Sequence, residues 1–236
     1  MKTHLITYGD AKYNAQLRFF KETAVHAGFF DQIDAYSAAD IGPDFYRKFK
    51  DVLNLRRGGG YWIWKPYFIK RKLEEIEEGD VVIYCDGGCM INSRGHERFK
   101  EYVRMVEESE LGIISFELPH LEAAYTKKEV FDYFGGQAEL ENTNQLMATI
   151  VILKKCAHTQ MLVDIWYNTL VKHRELFTDE MDEQGQAAAF IDHRHDQSIF
   201  SIIRKKFGSI VIPDETYFLD FVREGQLYPL WATRLR

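Results

Sequence analysis

Between Gly79-Asp80 and Gly87-Gly88 the chain runs Val81-Val82-Ile83-Tyr84-Cys85-Asp86, an unbroken apolar stretch that ends on a carboxylate. An apolar run of this length without polar alternation predicts a β-strand covered on both faces. Sheets built from such strands carry helices on either side, so this stretch alone points to an α/β fold.

The rest of the chain agrees with that reading. His4 to Tyr8 and Gln32 to Tyr36 read as strands on either side of a helix from Asn14 to His26, whose Leu17, Phe20 and Ala24 share one face before Gly28 stops it. A short helix is expected near Asp44 to Lys50, after Pro43. Pro66 suits the first turn of another, with Ile69, Leu73 and Ile76 on one face. Further on, the pattern predicts an amphipathic helix from His96 to Glu107 and strands at Leu111 to Ser115 and Met147 to Leu153. A long helix from His158 to His173 turns Leu162, Ile165, Trp166 and Leu170 inward; Ser198 to Phe207 reads as helix and Ser209 to Ile212 as strand. With no repeat, linker or low-complexity segment, residues 1–236 are expected to form one domain.

Composition narrows the function. Lys and Arg number 30 against 36 Asp and Glu, a net charge of −6, which argues against a general nucleic-acid binder. The longest uncharged stretch, Asn142 to Leu153, is far short of the about 20 apolar residues that cross a bilayer, so no transmembrane segment is expected. The N-terminus lacks a secretory h-region. Cys85, Cys89 and Cys156 form no CxxC pair and read as ordinary thiols, not a disulfide or zinc framework. These features together read as a cytoplasmic protein.

Ligands of open α/β sheets bind beyond the carboxyl ends of the strands, which singles out Thr7 to Asp10, Asp86 to Asn92, Ser115 to Glu117 and the block around His193 to Gln197. No phosphate-binding P-loop and no dinucleotide fingerprint follows a strand. Gly58 to Gly60 follows no strand and reads as a flexible turn. Asp86 admits two readings: a cap for its own turn, or the protein ligand of Mg²⁺ or Mn²⁺, which needs only one or two carboxylates when substrate phosphates supply the rest.

Three blocks occur in fixed order: Gly60-Tyr61-Trp62-Ile63-Trp64-Lys65-Pro66, then Tyr84 to Asn92 with Asp86-Gly87-Gly88, then Asp192-His193-Arg194-His195-Asp196-Gln197-Ser198. Together with Tyr228 to Arg234 they resemble a family of small GT-A glycosyltransferases, the bacterial and large-virus sugar transferases of surface-glycan assembly. Their D-x-D metal element is represented here by a D-x-G variant, with Gly88 in place of the second carboxylate. The resemblance implies a single GT-A domain, Rossmann-like, with a mixed, mostly parallel sheet flanked by helices. The activity it implies is transfer, of the hexosyltransferase class, of a sugar from a UDP-, GDP- or dTDP-linked donor to a glycan hydroxyl.

The resemblance also implies where the donor lies: the nucleotide over Thr7 and Tyr8, and the sugar diphosphate near Tyr61, Lys65, Asp86 and Gly88. Gln145, His195 and Gln197 complete the expected donor site. A divalent cation, Mn²⁺ or Mg²⁺, is expected on Asp86 and His195. Lys65 is a candidate phosphate partner, and Tyr61, Trp62 and Trp64 suit either stacking on a ligand or the core. Asp196 is the expected general base, taking the acceptor hydroxyl's proton, with a helix N-cap as its structural alternative and Glu117 as the next carboxylate in line. Two other functions compete: a metal-dependent phosphohydrolase or nucleotidyltransferase using Asp86, and a non-catalytic carbohydrate-binding module using the aromatics.

Overall fold

In the computed structural model, which describes residues 1–136 and 138–235, the Val81–Cys85 run is a strand fully covered on both faces. It is β3 of nine: β1 (Thr3–Tyr8), β2 (Gln32–Tyr36), β3, β4 (Met90–Ile91), β5 (Ile113–Leu121), β6 (Asn144–Leu146), β7 (Ile150–Lys154), β8 (Ile210–Pro213) and β9 (Leu230–Trp231). Seven of these form one sheet in the order β2-β1-β3-β7-β5-β6, with β8 on the other side of β5. The pairings β1 with β2, β1 with β3 and β5 with β8 are parallel, while β7 and β6 run against their neighbours. Thus β1, β2, β3, β5 and β8 share one direction, and the mixed, mostly parallel sheet read from the sequence is present.

The period of two along each strand divides the core. Val82 and Tyr84 of β3, with Val151 and Leu153 of β7, pack under the helices Pro43–Leu53, Trp64–Glu75, Ala157–Lys172 and Asp196–Phe207. Val81, Ile83 and Cys85, with Ile150 and Ile152, pack under the helices Asn14–Ala27 and His96–Glu108. Every residue of β3 is therefore buried, which accounts for the missing polar alternation.

Two strand expectations are corrected. The run expected from Met147 to Leu153 is strand only from Ile150, where β7 begins; β6 ends before the run starts, and residues 147–149 join the two. The Met147 N–H still bonds to Phe116 of β5, but the Ala148 carbonyl accepts from Lys65 and the Thr149 carbonyl from the Asp86 N–H, just past the end of β3. The strand expected at Leu111 to Ser115 extends to Leu121, because it pairs with β7 first and β6 later. The small sheet of β4 and β9, which ties Met90–Ile91 to the C-terminal segment, has no counterpart in the sequence expectations.

Candidate functional site

A cleft of about 760 Å³ opens beyond the carboxyl ends of β1 and β3. Tyr8, Gly9 and Asp10 enter it from β1, and Asp86, Gly87 and Gly88 from β3. The start of the helix Asp196–Phe207 and the C-terminal residues Arg234 and Leu235 complete the wall.

The expected turn at Gly58 to Gly60 is a single left-handed helical turn. Gly58, Gly59, Gly60, Tyr61 and Trp62 all have positive φ, and the Tyr61 and Trp62 N–H groups bond to the carbonyls four residues back. Left-handed helix costs an L-residue about 1–2 kcal/mol, so three glycines carry most of the turn and Tyr61 and Trp62 are held in it by their packing. A Cβ at Gly60 would lie 2.6 Å from the Leu53 Cα, so the close approach as well as the φ requires glycine. The turn brings Arg56, Arg57 and Trp62 to the cleft.

At the centre of the wall, Lys65 joins two carboxylates. Its Nζ lies 2.8 Å from Asp196 Oδ2 and 3.2 Å from Asp86 Oδ1, and it donates to the Ala148 carbonyl at 3.0 Å. The contact with Asp196 is an ion pair without hydrogen-bond alignment, so Asp196 Oδ2 has no directed donor among the described residues. Lys65 is buried; burial would lower its pKa, but Asp196 and Asp86 outweigh that and raise it, keeping the ammonium charged. Burial pushes the Asp196 carboxyl up to about 6, against the pull of the Lys65 ammonium and with a further push from Asp86. A carboxylate poised there is ionised at neutral pH and still basic enough to accept a proton.

The backbone turns sharply just before Asp196. His195, with φ 51° and ψ −114°, is the N-cap and makes no side-chain cap bond, while Asp196 is the first helical residue. The N-cap alternative for Asp196 therefore does not describe it, although a carboxylate in the first turn is favoured by the helix dipole. His195 Nε2 lies 2.8 Å from Asp179 Oδ1, and burial above all lowers the ring's pKa to about 4, so the imidazole is neutral. His193 is structural: its Nε2 donates to the Leu176 carbonyl at 2.8 Å and its Nδ1 accepts from the Lys127 N–H.

Much of the charge of the cleft comes from residues to which the sequence assigned no role. Lys12, Arg56, Arg57, Arg194 and Arg234 line it together with Asp10 and Asp192. Arg57 is anchored by Asp179 at 3.0 Å and Asp192 at 2.5 Å, and Arg194 lies over the Tyr125 ring at 3.8 Å. Among the described residues no acidic side chain pairs with Lys12, Arg56 or Arg234 within 4.0 Å, leaving three cations for an anionic ligand.

No family model matches the chain, and no curated protein matches its sequence. Solved structures do match. The chain is similar to a glycosyltransferase involved in the glycosylation of the major capsid of PBCV-1, with a TM-score of 0.58 at 8% identity over 98% of this chain and 93% of that one. The galactosyltransferase LgtC, solved with donor and acceptor sugar analogues, gives 0.51 at 13% identity over 97% and 86% of the two chains. The fold is that of the GT-A glycosyltransferases. At these identities the likeness is one of fold.

Of the residues singled out in the sequence, Tyr8, Lys65, Asp86 and Gly88 line this GT-A cleft, as do His195, Asp196 and Gln197. Three do not. Thr7 is buried below it. Gln145 is fully buried, its amide donating towards Tyr125, Thr126 and Ser198 and accepting from Gln197 at 2.7 Å, so it supports Gln197 from behind. Tyr61 opens onto a separate cavity of about 550 Å³, with its hydroxyl on Asp179 at 2.7 Å. Glu117, the reserve base, is exposed in the middle of β5 and lines neither cavity.

Two further residues are also held from within the protein. The Lys65 ammonium sits among Asp196, Asp86 and the Ala148 carbonyl, with an aligned hydrogen bond only to the last, and ties the carboxylates together. Gly88 is occupied from behind, its carbonyl accepting from Thr233 Oγ1 at 2.8 Å and the Leu235 N–H at 3.0 Å. A Cβ there would stand 2.9 Å from the Leu235 carbonyl, which explains why the second carboxylate of a D-x-D element is absent.

Asp86 Oδ1 accepts from the Tyr84 hydroxyl at 2.6 Å, while Oδ2 is unbonded among the described residues. One free carboxylate oxygen fits a Mg²⁺ or Mn²⁺ that takes its remaining ligands from diphosphate and water. His195 has its Nε2 committed to Asp179, which leaves only Nδ1 for a cation, and among the described residues no three His, Cys, Asp or Glu side chains gather for a metal.

Proposed function

We propose that the protein is a glycosyltransferase that moves a sugar from a nucleotide-diphosphate sugar to a glycan hydroxyl. The reading rests on one observation above the others: Asp196, a buried carboxylate held near neutral pH, stands on the wall of a GT-A cleft beside Lys65 and Asp86. Asp196 takes the proton of the acceptor hydroxyl as its oxygen attacks the anomeric carbon. Lys65 holds Asp196 in place and keeps it ionised. Arg56, Arg234 and Lys12 bind the diphosphate and stabilise the charge that grows on it as the bond breaks. A divalent cation on Asp86 would supply Lewis-acid stabilisation of the same leaving group.

Against a carbohydrate-binding module stands the packing of the aromatics. Trp64 stacks on Tyr8 at 4.1 Å and belongs to the core with Phe68, so it offers no free platform.

The test is thermal denaturation with a panel of UDP-, GDP- and dTDP-sugars, with and without Mn²⁺. One base is expected to raise the melting temperature, because a ligand that binds only the native state stabilises it. Asp86→Asn is expected to keep its own melting temperature and lose the Mn²⁺-dependent part of that rise. No stabilisation by any member of the panel, in either condition, overturns the reading.

A further inference from the structure

Asp179 belongs to none of the blocks that pointed to the cleft, yet it gathers two of their side chains and the neighbouring Arg57. Its Oδ1 meets His195 Nε2 at 2.8 Å and Arg57 at 3.0 Å, and its Oδ2 accepts from the Tyr61 hydroxyl at 2.7 Å. The segment that carries it is fixed as well. Lys127, buried, donates its ammonium to the carbonyls of Glu175 at 2.7 Å, Thr178 at 3.0 Å and Glu180 at 2.6 Å, on both sides of Asp179. A carboxylate held this firmly dictates the state of the ring it touches.

That state has one chemical consequence. A carboxylate only accepts, so the proton of the neutral ring sits on Nε2, and Nδ1 keeps a bare lone pair. Among the described residues Nδ1 has no hydrogen-bond partner, although the ring is almost completely buried and lines the cleft. Tyr61 and Trp62 pack against the ring at centroid distances of 4.8 and 5.5 Å, and its own backbone stands at φ 51°. A bare lone pair repels phosphate oxygens and accepts from a hydroxyl.

We propose that Asp179 and His195 together form a hydrogen-bond acceptor for a sugar hydroxyl: Asp179 takes the Nε2 proton, and Nδ1 receives the ligand's hydroxyl. Asp179 is thus a positioning residue that acts through His195. The assignment deepens the proposed function and rests on it for the sugar, but not for the tautomer. The hydroxyl belongs either to the donor's sugar or to the acceptor, and the two sources are separable by experiment.

The first measurement needs no turnover: ¹⁵N NMR of the free protein, with His195→Asn used to assign the signals. Nε2 is expected to carry the proton and Nδ1 to be bare; the opposite tautomer overturns the proposal. In Asp179→Asn the amide can donate to Nε2 and move the proton to Nδ1. That variant is expected to bind the bare nucleoside diphosphate within about twofold of wild type. Losing one hydrogen bond at a buried acceptor is worth roughly 10- to 100-fold in affinity. That loss is expected in the binding of the intact sugar nucleotide if the hydroxyl is the donor's, and in the acceptor's KM if it is the acceptor's. Equal losses for nucleoside diphosphate, sugar nucleotide and acceptor indicate a merely structural Asp179 and overturn the proposal. Loss of Mn²⁺ binding in His195→Asn as large as that in Asp86→Asn assigns the ring to a metal and overturns it too.

Discussion

Replacing Lys65 by methionine keeps most of the side-chain volume and removes the one cation between Asp86 and Asp196. In the native wall that ammonium stands 2.8 Å from one carboxylate and 3.2 Å from the other, with the Ala148 carbonyl at 3.0 Å. Removing one partner of a buried ion pair typically costs about 3–5 kcal/mol, because the remaining charge is left buried without compensation. In a chain of this length 1 kcal/mol corresponds to about 2–4 °C, so the melting temperature is expected to fall by about 6–20 °C at pH 8. The loss depends on pH in a definite direction. Asp196 has a folded pKa of about 6, above its unfolded value near 3.8, so its contribution to stability is fully present below the unfolded pKa and is lost as pH rises through about 6. Without Lys65 that folded pKa climbs further, and the variant carries a protonated Asp196 over a wider range. The gap between wild type and Lys65→Met is therefore expected to be small at pH 5 and to widen to pH 8. Thermal denaturation of both proteins across this range is the assay. Equal losses at pH 5 and pH 8, or a loss below about 3 °C at pH 8, refute the ion-pair account.

Asp196→Asn removes the same titration from the other side, so its stability is expected to change less between pH 5 and pH 8 than that of wild type, by about 1.4 kcal/mol, since within this window the shift from 3.8 to about 6 acts over about one unit; parallel stability curves for the two proteins contradict the burial of a titrating carboxylate. Gly88→Asp places a Cβ 2.9 Å from the Leu235 carbonyl, so it is expected to unseat residues 233–235 and speed their removal by a carboxypeptidase without tightening Mn²⁺ binding; tighter Mn²⁺ binding with an intact C-terminal segment refutes the steric reading of that glycine.

The sheet was legible because its signals are local. The Val81–Cys85 run, the Leu17, Phe20 and Ala24 stripe and the Pro66 helix each declare themselves within a few residues. The break at residues 147–149 was not legible, since Met147-Ala148-Thr149 is apolar enough for a strand and departs from one where Lys65 and Asp86, remote in sequence, claim the Ala148 and Thr149 carbonyls. The cleft was half legible. Asp86, Lys65 and Asp196 lie in recognisable blocks, but that Lys65 faces both carboxylates follows from contacts between elements far apart in sequence, 131 residues in the case of Asp196. Asp179 sits in an acidic loop, Thr178-Asp179-Glu180-Met181-Asp182-Glu183, that reads as solvated surface. Its partner Tyr61 lies 118 residues away, and no local pattern distinguishes it from its acidic neighbours. The contacts of Gln145 and Gly88 with the protein's own chain were not legible for a related reason: a polar residue or a glycine beside a strand looks the same whether it meets a ligand or the chain itself.

The most direct test of the central claim is sugar transfer itself, followed by mass spectrometry of a glycan acceptor incubated with the donor that stabilises the protein. Wild type is expected to add the mass of one sugar to the acceptor and release the nucleoside diphosphate. Asp196→Asn is expected to bind that donor as tightly and to transfer about 10²- to 10⁴-fold more slowly, the usual loss for a positioned base. Transfer by Asp196→Asn at the wild-type rate, or release of nucleoside diphosphate with no sugar on any acceptor, contradicts the account.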